Sequence, residues 1–186
     1  MGLFVCSHED EVVEKAIFRD VRMVVPVKEG FDRGKDPFGS RLEILDVMSG
    51  HRQRVHETND VFEAPNWTLD GKALIFNSEG RLYRFDLEKK TTALIDTGDV
   101  VRNNNDHVIS FNGRMLAISS HTGNENHSMV YVYTVPLTGG QPKQITPTGP
   151  SYLHGWSPDG KFQVYTGQRN GNFNIYRISA EGGAET

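Results

Sequence analysis

The sequence predicts an all-β chain built from repeated four-stranded antiparallel units, on three observations. The segment Trp156-Ser157-Pro158-Asp159-Gly160-Lys161 recurs as Trp67-Thr68-Leu69-Asp70-Gly71-Lys72 and, more loosely, as Ile109-Ser110-Phe111-Asn112-Gly113-Arg114. Its glycines stand 42 and 47 residues apart, within the period of stacked or radially repeated architectures. Glycine is abundant, at 19 of 186 residues, while no long apolar helical stripe is present, so short strands joined by tight turns are expected.

Residues 1–38 read as an irregular segment with a helical turn over 12–18 and strand material over 18–27 containing Pro26. A loop rich in charge and glycine follows, over residues 30–39. Residues 41–47 alternate as a strand, Met48-Ser49-Gly50 turns, and residues 51–56 return. This hairpin is the back half of an earlier copy, because Asp46 precedes Asp86 by 40 residues in the matching place. The next copy is complete: strands at 64–67, 73–77, 81–87 and 91–96. A third places strands at about 106–110, 115–119, 129–135 and 143–146, and a fourth at about 153–156, 162–166 and 173–178. Tyr83, Tyr133 and Tyr176 align on the third strands, followed by the turns Glu88-Lys89-Lys90, Thr138-Gly139-Gly140 and Glu181-Gly182-Gly183.

Asp-Gly or Asn-Gly between short strands marks a hairpin, since glycine accepts positive φ and the Asx side chain bonds its own backbone. Trp67, Trp156 and the three tyrosines read as blade packing, the indoles filling the gap between one twisted sheet and the next. Each sheet is apolar on both faces and cannot stand alone; radial stacking into a β-propeller satisfies it. The run WSPDGK, strand, YRISAEGG resembles the repeat of TolB-like β-propellers over residues 39–186, with Leu69, Lys89-Lys90, Ile109 and Asn112 as departures from the pattern. The resemblance implies blades over about 39–60 (partial), 61–104, 105–151 and 152–186 (incomplete), as part of a six- or seven-bladed ring. Thr186 aligns with Lys143, so the last copy stops inside a blade. Self-association through open blade edges is the expected consequence.

A net charge of −4, from 24 acids and 20 scattered bases, argues against nucleic acid as a partner. Mean hydropathy of −0.49 and the lack of a long apolar run argue against a membrane. The N-terminus has no secretory pattern, so the chain as written is expected in the cytoplasm, or in the periplasm if a signal has been removed. Cys6 stands alone and forms no internal disulfide.

Residues at the start of innermost strands converge on a propeller's central channel. The slot two before the tryptophan position holds Pro65, His107 and His154. Histidines from successive blades at one mouth would bind a metal or an anion; the bland reading is that each bonds a nearby loop. Asn105 and Asp106, in the loop leading to His107, join this candidate ligand-binding set, as do His121 and Gln168, which align with Glu79 one slot further on. Together they resemble the His- and Gln-lined manganese site of oligogalacturonate lyase, which would make His107 and His154 ligands of a divalent metal. His121 and His127 also read as a solvated hairpin tip, and His51 and His56 as surface strand residues. No phosphate loop, GxSxG, HExxH or CxxC occurs. The expectation is therefore a non-enzymatic propeller module, without cofactor, that binds a protein or peptide at the channel face. The alternative is a metal-dependent, carbohydrate-active enzyme.

Overall fold

The computed structural model describes residues 39–123 and 128–186, together with Gly30 and Asp32. The expected helical turn and strand before residue 28, Cys6, and His127 lie outside the described residues. The chain divides between Asp36 and Pro37, and every described strand belongs to the second unit.

That unit is all-β and antiparallel. A two-stranded hairpin, β1 (Ser40–Leu45) and β2 (Arg52–Thr58), precedes a four-stranded meander of β3 (Glu63–Trp67), β4 (Ala73–Ser78), β5 (Arg81–Asp86) and β6 (Thr91–Ile95). A second meander follows, β7 (Asn103–Ile109), β8 (Met115–Thr122), β9 (Met129–Pro136) and β10 (Lys143–Gln144). A three-stranded sheet of β11 (Ser151–Trp156), β12 (Phe162–Arg169) and β13 (Asn172–Ser179) completes it. Each sheet is a blade, so four are present among the described residues, the first and last partial there. Thr186 pairs with Arg177 through both backbone bonds, 2.8 Å each way, the place Lys143 holds opposite Thr134.

Local chemistry explains the repeat. In the turn after the first strand, Gly160 N donates to Ser157 O, while Asp159 Oδ1 accepts from Ser157 Oγ at 2.6 Å and from Lys161 N at 3.1 Å. Thr68 with Asp70, and Ser110 with Asn112, repeat this arrangement. The hydroxyl in second place thus belongs to the turn as much as the Asp-Gly pair. These bonds hold Asp159 and Asp70 below the usual carboxylate range, led in each case by the neighbouring hydroxyl. After the third strand, Asp86 Oδ1 accepts from Glu88 and Lys89 N–H, as Asp46 Oδ1 does from Met48 and Ser49. The 40-residue match of Asp46 with Asp86 is a shared Asx turn.

The core is not one mass but three seams between neighbouring blades. Alternation along β4 sends Ile75 to one face and Leu74 and Phe76 to the other. Ile75, Leu82 and Ile95 pack against Leu116, Ile118, Tyr133 and Val135, whereas Leu74, Phe76 and Phe85 pack against Leu42. Ala117, Val132 and Ile145 meet Leu153, Tyr165 and Ile178 at the third seam. Polar bonds cross these seams as well. Trp156 Nε1 donates to Val108 O at 3.0 Å, Asn66 Nδ2 to His107 O at 3.1 Å, and Leu153 N to Ser119 Oγ at 2.7 Å. Trp67 differs from the expectation of a packed plate: it is 49% exposed, because the strand that would receive it is not among the described strands of the preceding blade.

Candidate functional site

The first strand β7 lies between the first strands β3 and β11, against each of them, so their starts and the hairpin turns between second and third strands share one end of the arc. The pairs Glu63↔Asn77, Asn103↔Ser120 and Ser151↔Gly167 mark that end on the three blades. All of the sequence candidates belong to it or to the strands just below.

The structure places the two histidines in different environments. His107 is buried, 2% exposed, between the second and third blades. Its Nε2 lies 3.3 Å from Ile75 O, which puts the ring proton on Nε2 and leaves Nδ1 a buried acceptor without a hydrogen-bond partner. Burial pushes its pKa down, against smaller opposing effects of the Ile75 carbonyl and the Asp106 carboxylate. The carbonyls of Ala64 and Asn105 favour the protonated ring electrostatically, but neither forms a hydrogen bond to Nδ1. His154 is exposed, and its Nε2 meets Thr166 Oγ1 at 3.0 Å.

Register is the physical reason for the divergence. In the third blade His107 stands opposite Ile118. In the fourth, the residue opposite the matching Tyr165 is Leu153, and a bulge follows before Gly155 pairs with Val164. The extra residue is His154. A slip of one residue turns a side chain to the other face of a sheet, so Leu153, 1% exposed, fills the position that His107 fills one blade earlier. Pro65 lies in a bulge of its own, between Glu63 and Asn66.

Of the other candidates, Asp106 accepts from Asn104 Nδ2 at 2.8 Å, and Asn105 is exposed. His121 Nδ1 lies 3.0 Å from Ser128 Oγ, and Gln168 Nε2 donates to Gly171 O at 3.3 Å. The loop expected over residues 103–106, leading into His107, is the start of β7. Asn103 N donates to Gly80 O and Asn103 pairs with Ser120, bonds a loop would have left to water. Among the described residues no three His, Cys, Asp or Glu side chains gather as a metal would require.

What the end of the arc does form is an open cleft of about 540 Å³. It lies between the approach to β3, the turn after β4 and the first residues of β7. Asp60, Glu63 and Glu79 bring three carboxylates to its lining, which among the described residues contains no lysine, arginine or histidine. Asn77 and Asn103 sit at its base, 4% and 6% exposed, each with an unpartnered Oδ1. Two non-glycine residues here hold left-handed backbone, Ala64 at φ 52° in the β3 bulge and Glu79 at φ 50° in the turn with Gly80. Such conformations cost free energy and persist where the surroundings enforce them. Sequence reasoning reached Glu79 and Asn105 of this cleft, and Asn103 and Asn104 only as part of a loop leading to His107. Asn77, a lone polar residue ending the apolar run Ala73-Leu-Ile-Phe76, was the available signal for the rest.

No protein-family model matches the chain. An uncharacterized protein of Agrobacterium fabrum is 43% identical over 148 residues, which is 79% of this chain and 50% of that protein. A structure from Agrobacterium tumefaciens assigned as TolB is 43% identical with a TM-score of 0.72, covering 78% of this chain and 52% of that one. TolB from Acinetobacter baumannii shares the fold at 22% identity and a TM-score of 0.64, over 78% of this chain and 36% of that one. An oligogalacturonate lyase solved with manganese shares the fold at 14% identity and a TM-score of 0.61, over 78% and 41%. The chain spans about half the length of the curated relative it matches.

Proposed function

Since the chain belongs to the TolB-like β-propeller repeat family, we propose that it is a non-enzymatic module whose channel end binds a protein or peptide. The observation that carries this reading is the preformed polar cleft between the second and third blades. It is open, lined from three separate segments and rimmed by backbone held in uncommon conformations. Binding surfaces are commonly built from connections at one end of a rigid scaffold. The metal-dependent alternative drew on His107 and His154 as a pair, and their burial and exposure differ too much to favour it. Of the two compartments considered above, the periplasm fits a TolB-like module, and we place the protein there.

The test is selection of displayed peptides on the immobilised protein, with Asn105→Trp as the counter-selected variant, since Asn105 lines the cleft and is exposed. Enriched peptides should bind the wild type and lose about tenfold or more in affinity to the variant. Peptides that bind both proteins equally, or failure to enrich any, would overturn the reading.

A further inference from the structure

We propose that the cleft between the second and third blades receives a guanidinium group, the arginine side chain of a bound peptide. The inference rests on the peptide-binding reading and adds the chemistry of what is recognised.

Charge is the first argument. Asp60, Glu63 and Glu79 line one space that, among the described residues, has no cationic side chain in its lining, so a cation entering it meets three carboxylates. Acceptor inventory is the second. Asn103 Nδ2 donates to Gly80 O at 2.8 Å and to Val100 O at 3.2 Å, which fixes the amide orientation and makes Oδ1 the free acceptor. Asn77 Oδ1 also has no hydrogen-bond partner, and both side chains line the cleft while more than nine-tenths buried. Buried acceptors without donors are costly and are normally satisfied. The cleft thus offers three carboxylates and two unpartnered buried amide oxygens, a set that suits a group that is all donor.

Shape selects between the cations. Next to the cleft, and sharing Asp60, Ser78 and Glu79 with it, is a recess of about 350 Å³ whose aromatic wall is His56, Phe62, Phe76 and Tyr83. Phe62 and Phe76 lie 4.7 Å apart, and Phe76 and Tyr83 lie 5.8 Å apart. A planar guanidinium stacks on aromatic faces and presents a fork of donors to paired oxygens, whereas an ammonium is a compact, strongly hydrated charge. Carboxylates beside an aromatic wall favour the fork.

Titration of the whole protein with acetyl-Gly-Arg-Gly-amide, followed by NMR of the side-chain amides, tests this. The expected result is a saturable shift of the Asn103 amide, with affinity reduced about tenfold or more in Asp60→Asn/Glu79→Gln and by citrulline in place of arginine. The lysine peptide should bind more weakly than the arginine peptide. Equal binding of arginine and citrulline peptides overturns the inference while leaving the peptide-binding reading standing. Failure of the arginine peptide to move the Asn103 amide overturns it too, and the display selection judges the broader reading separately. Calcium ion alone shifting the same amide and displacing the peptide would replace it with a cation site.

Discussion

Replacing His107 with glutamine isolates the energetics of an imidazole that the fold keeps neutral. The ring is 2% exposed and donates from Nε2 to Ile75 O; a glutamine amide supplies a donor to the same carbonyl but does not titrate. Burial lowers the folded-state pKa of His107 below the usual 6.5. The unfolded chain therefore binds a proton at mildly acidic pH that the folded chain refuses, so stability is fully present above pH 6.5 and is lost as pH falls toward the lowered pKa. The limiting slope is about 1.4 kcal/mol per pH unit. Between pH 7.5 and 5.5 the wild type should lose up to about 1.4 kcal/mol more than His107→Gln, a full proton's worth below 6.5. With a urea slope of about 2 kcal/mol/M, that is a difference of about 0.7 M in midpoint shift. Urea unfolding followed by tryptophan fluorescence at pH 7.5, 6.5 and 5.5 measures it. Parallel curves for the two proteins would show that the imidazole is not held neutral, and the seam as described would be wrong.

Trp156→Phe removes the Nε1 bond to Val108 O and part of a plate between blades, and should cost about 2 kcal/mol in urea unfolding. Trp67→Phe, at a side chain 49% exposed, should cost less than half as much. Glu185 takes Arg169 Nε at 2.6 Å and Arg169 Nη2 at 2.7 Å, and accepts from Tyr165 Oη; Glu185→Gln should lower stability at pH 7 by about 2 kcal/mol. Arg169, followed by the Tyr165 hydroxyl, holds the Glu185 carboxyl below its usual 4.5. Wild-type stability from this group is therefore present above pH 4.5 and lost as pH falls through the lowered pKa, and acid titration of the variant should lack that loss. Gly80→Ala puts a Cβ 2.5 Å from Val101 O at φ 76° and should cost more than about 2 kcal/mol, whereas Gly160→Ala, at φ 72° with open space, should cost about 1 kcal/mol. Phe173 and Ile175 on β13 are 55% and 77% exposed, and light scattering should report self-association that Ile175→Lys reduces.

Much of the architecture was legible because it is written locally. Asp159-Gly160 and its counterparts close turns through their own backbone and a neighbouring hydroxyl, and the alternation of Ala73 to Phe76 declares a sheet with two apolar faces. Such signals depend on residues a few positions apart, so the blade repeat and the order of strands follow from them.

Other features were decided between blades, over separations that no local pattern spans. His107 and His154 occupy one slot in the sequence repeat, yet a bulge after Leu153 turns one inward and the other outward. The bulge lies in the pairing of β11 with β12 inside one blade, and no residue type announces it. Asn103 to Asn105 read as a loop until the turn at Gly80 provided a partner. Trp67 and Trp156 are the same letter in the same motif, but only Trp156 has a described strand to receive its indole. The cleft assembles Asp60, Asn77, Glu79 and Asn103 from three segments. The sequence by itself determined the blade, because turn chemistry and alternation act within a few residues; only the tertiary structure decided the site, because strand register within a blade and burial between blades depend on residues far apart in the chain.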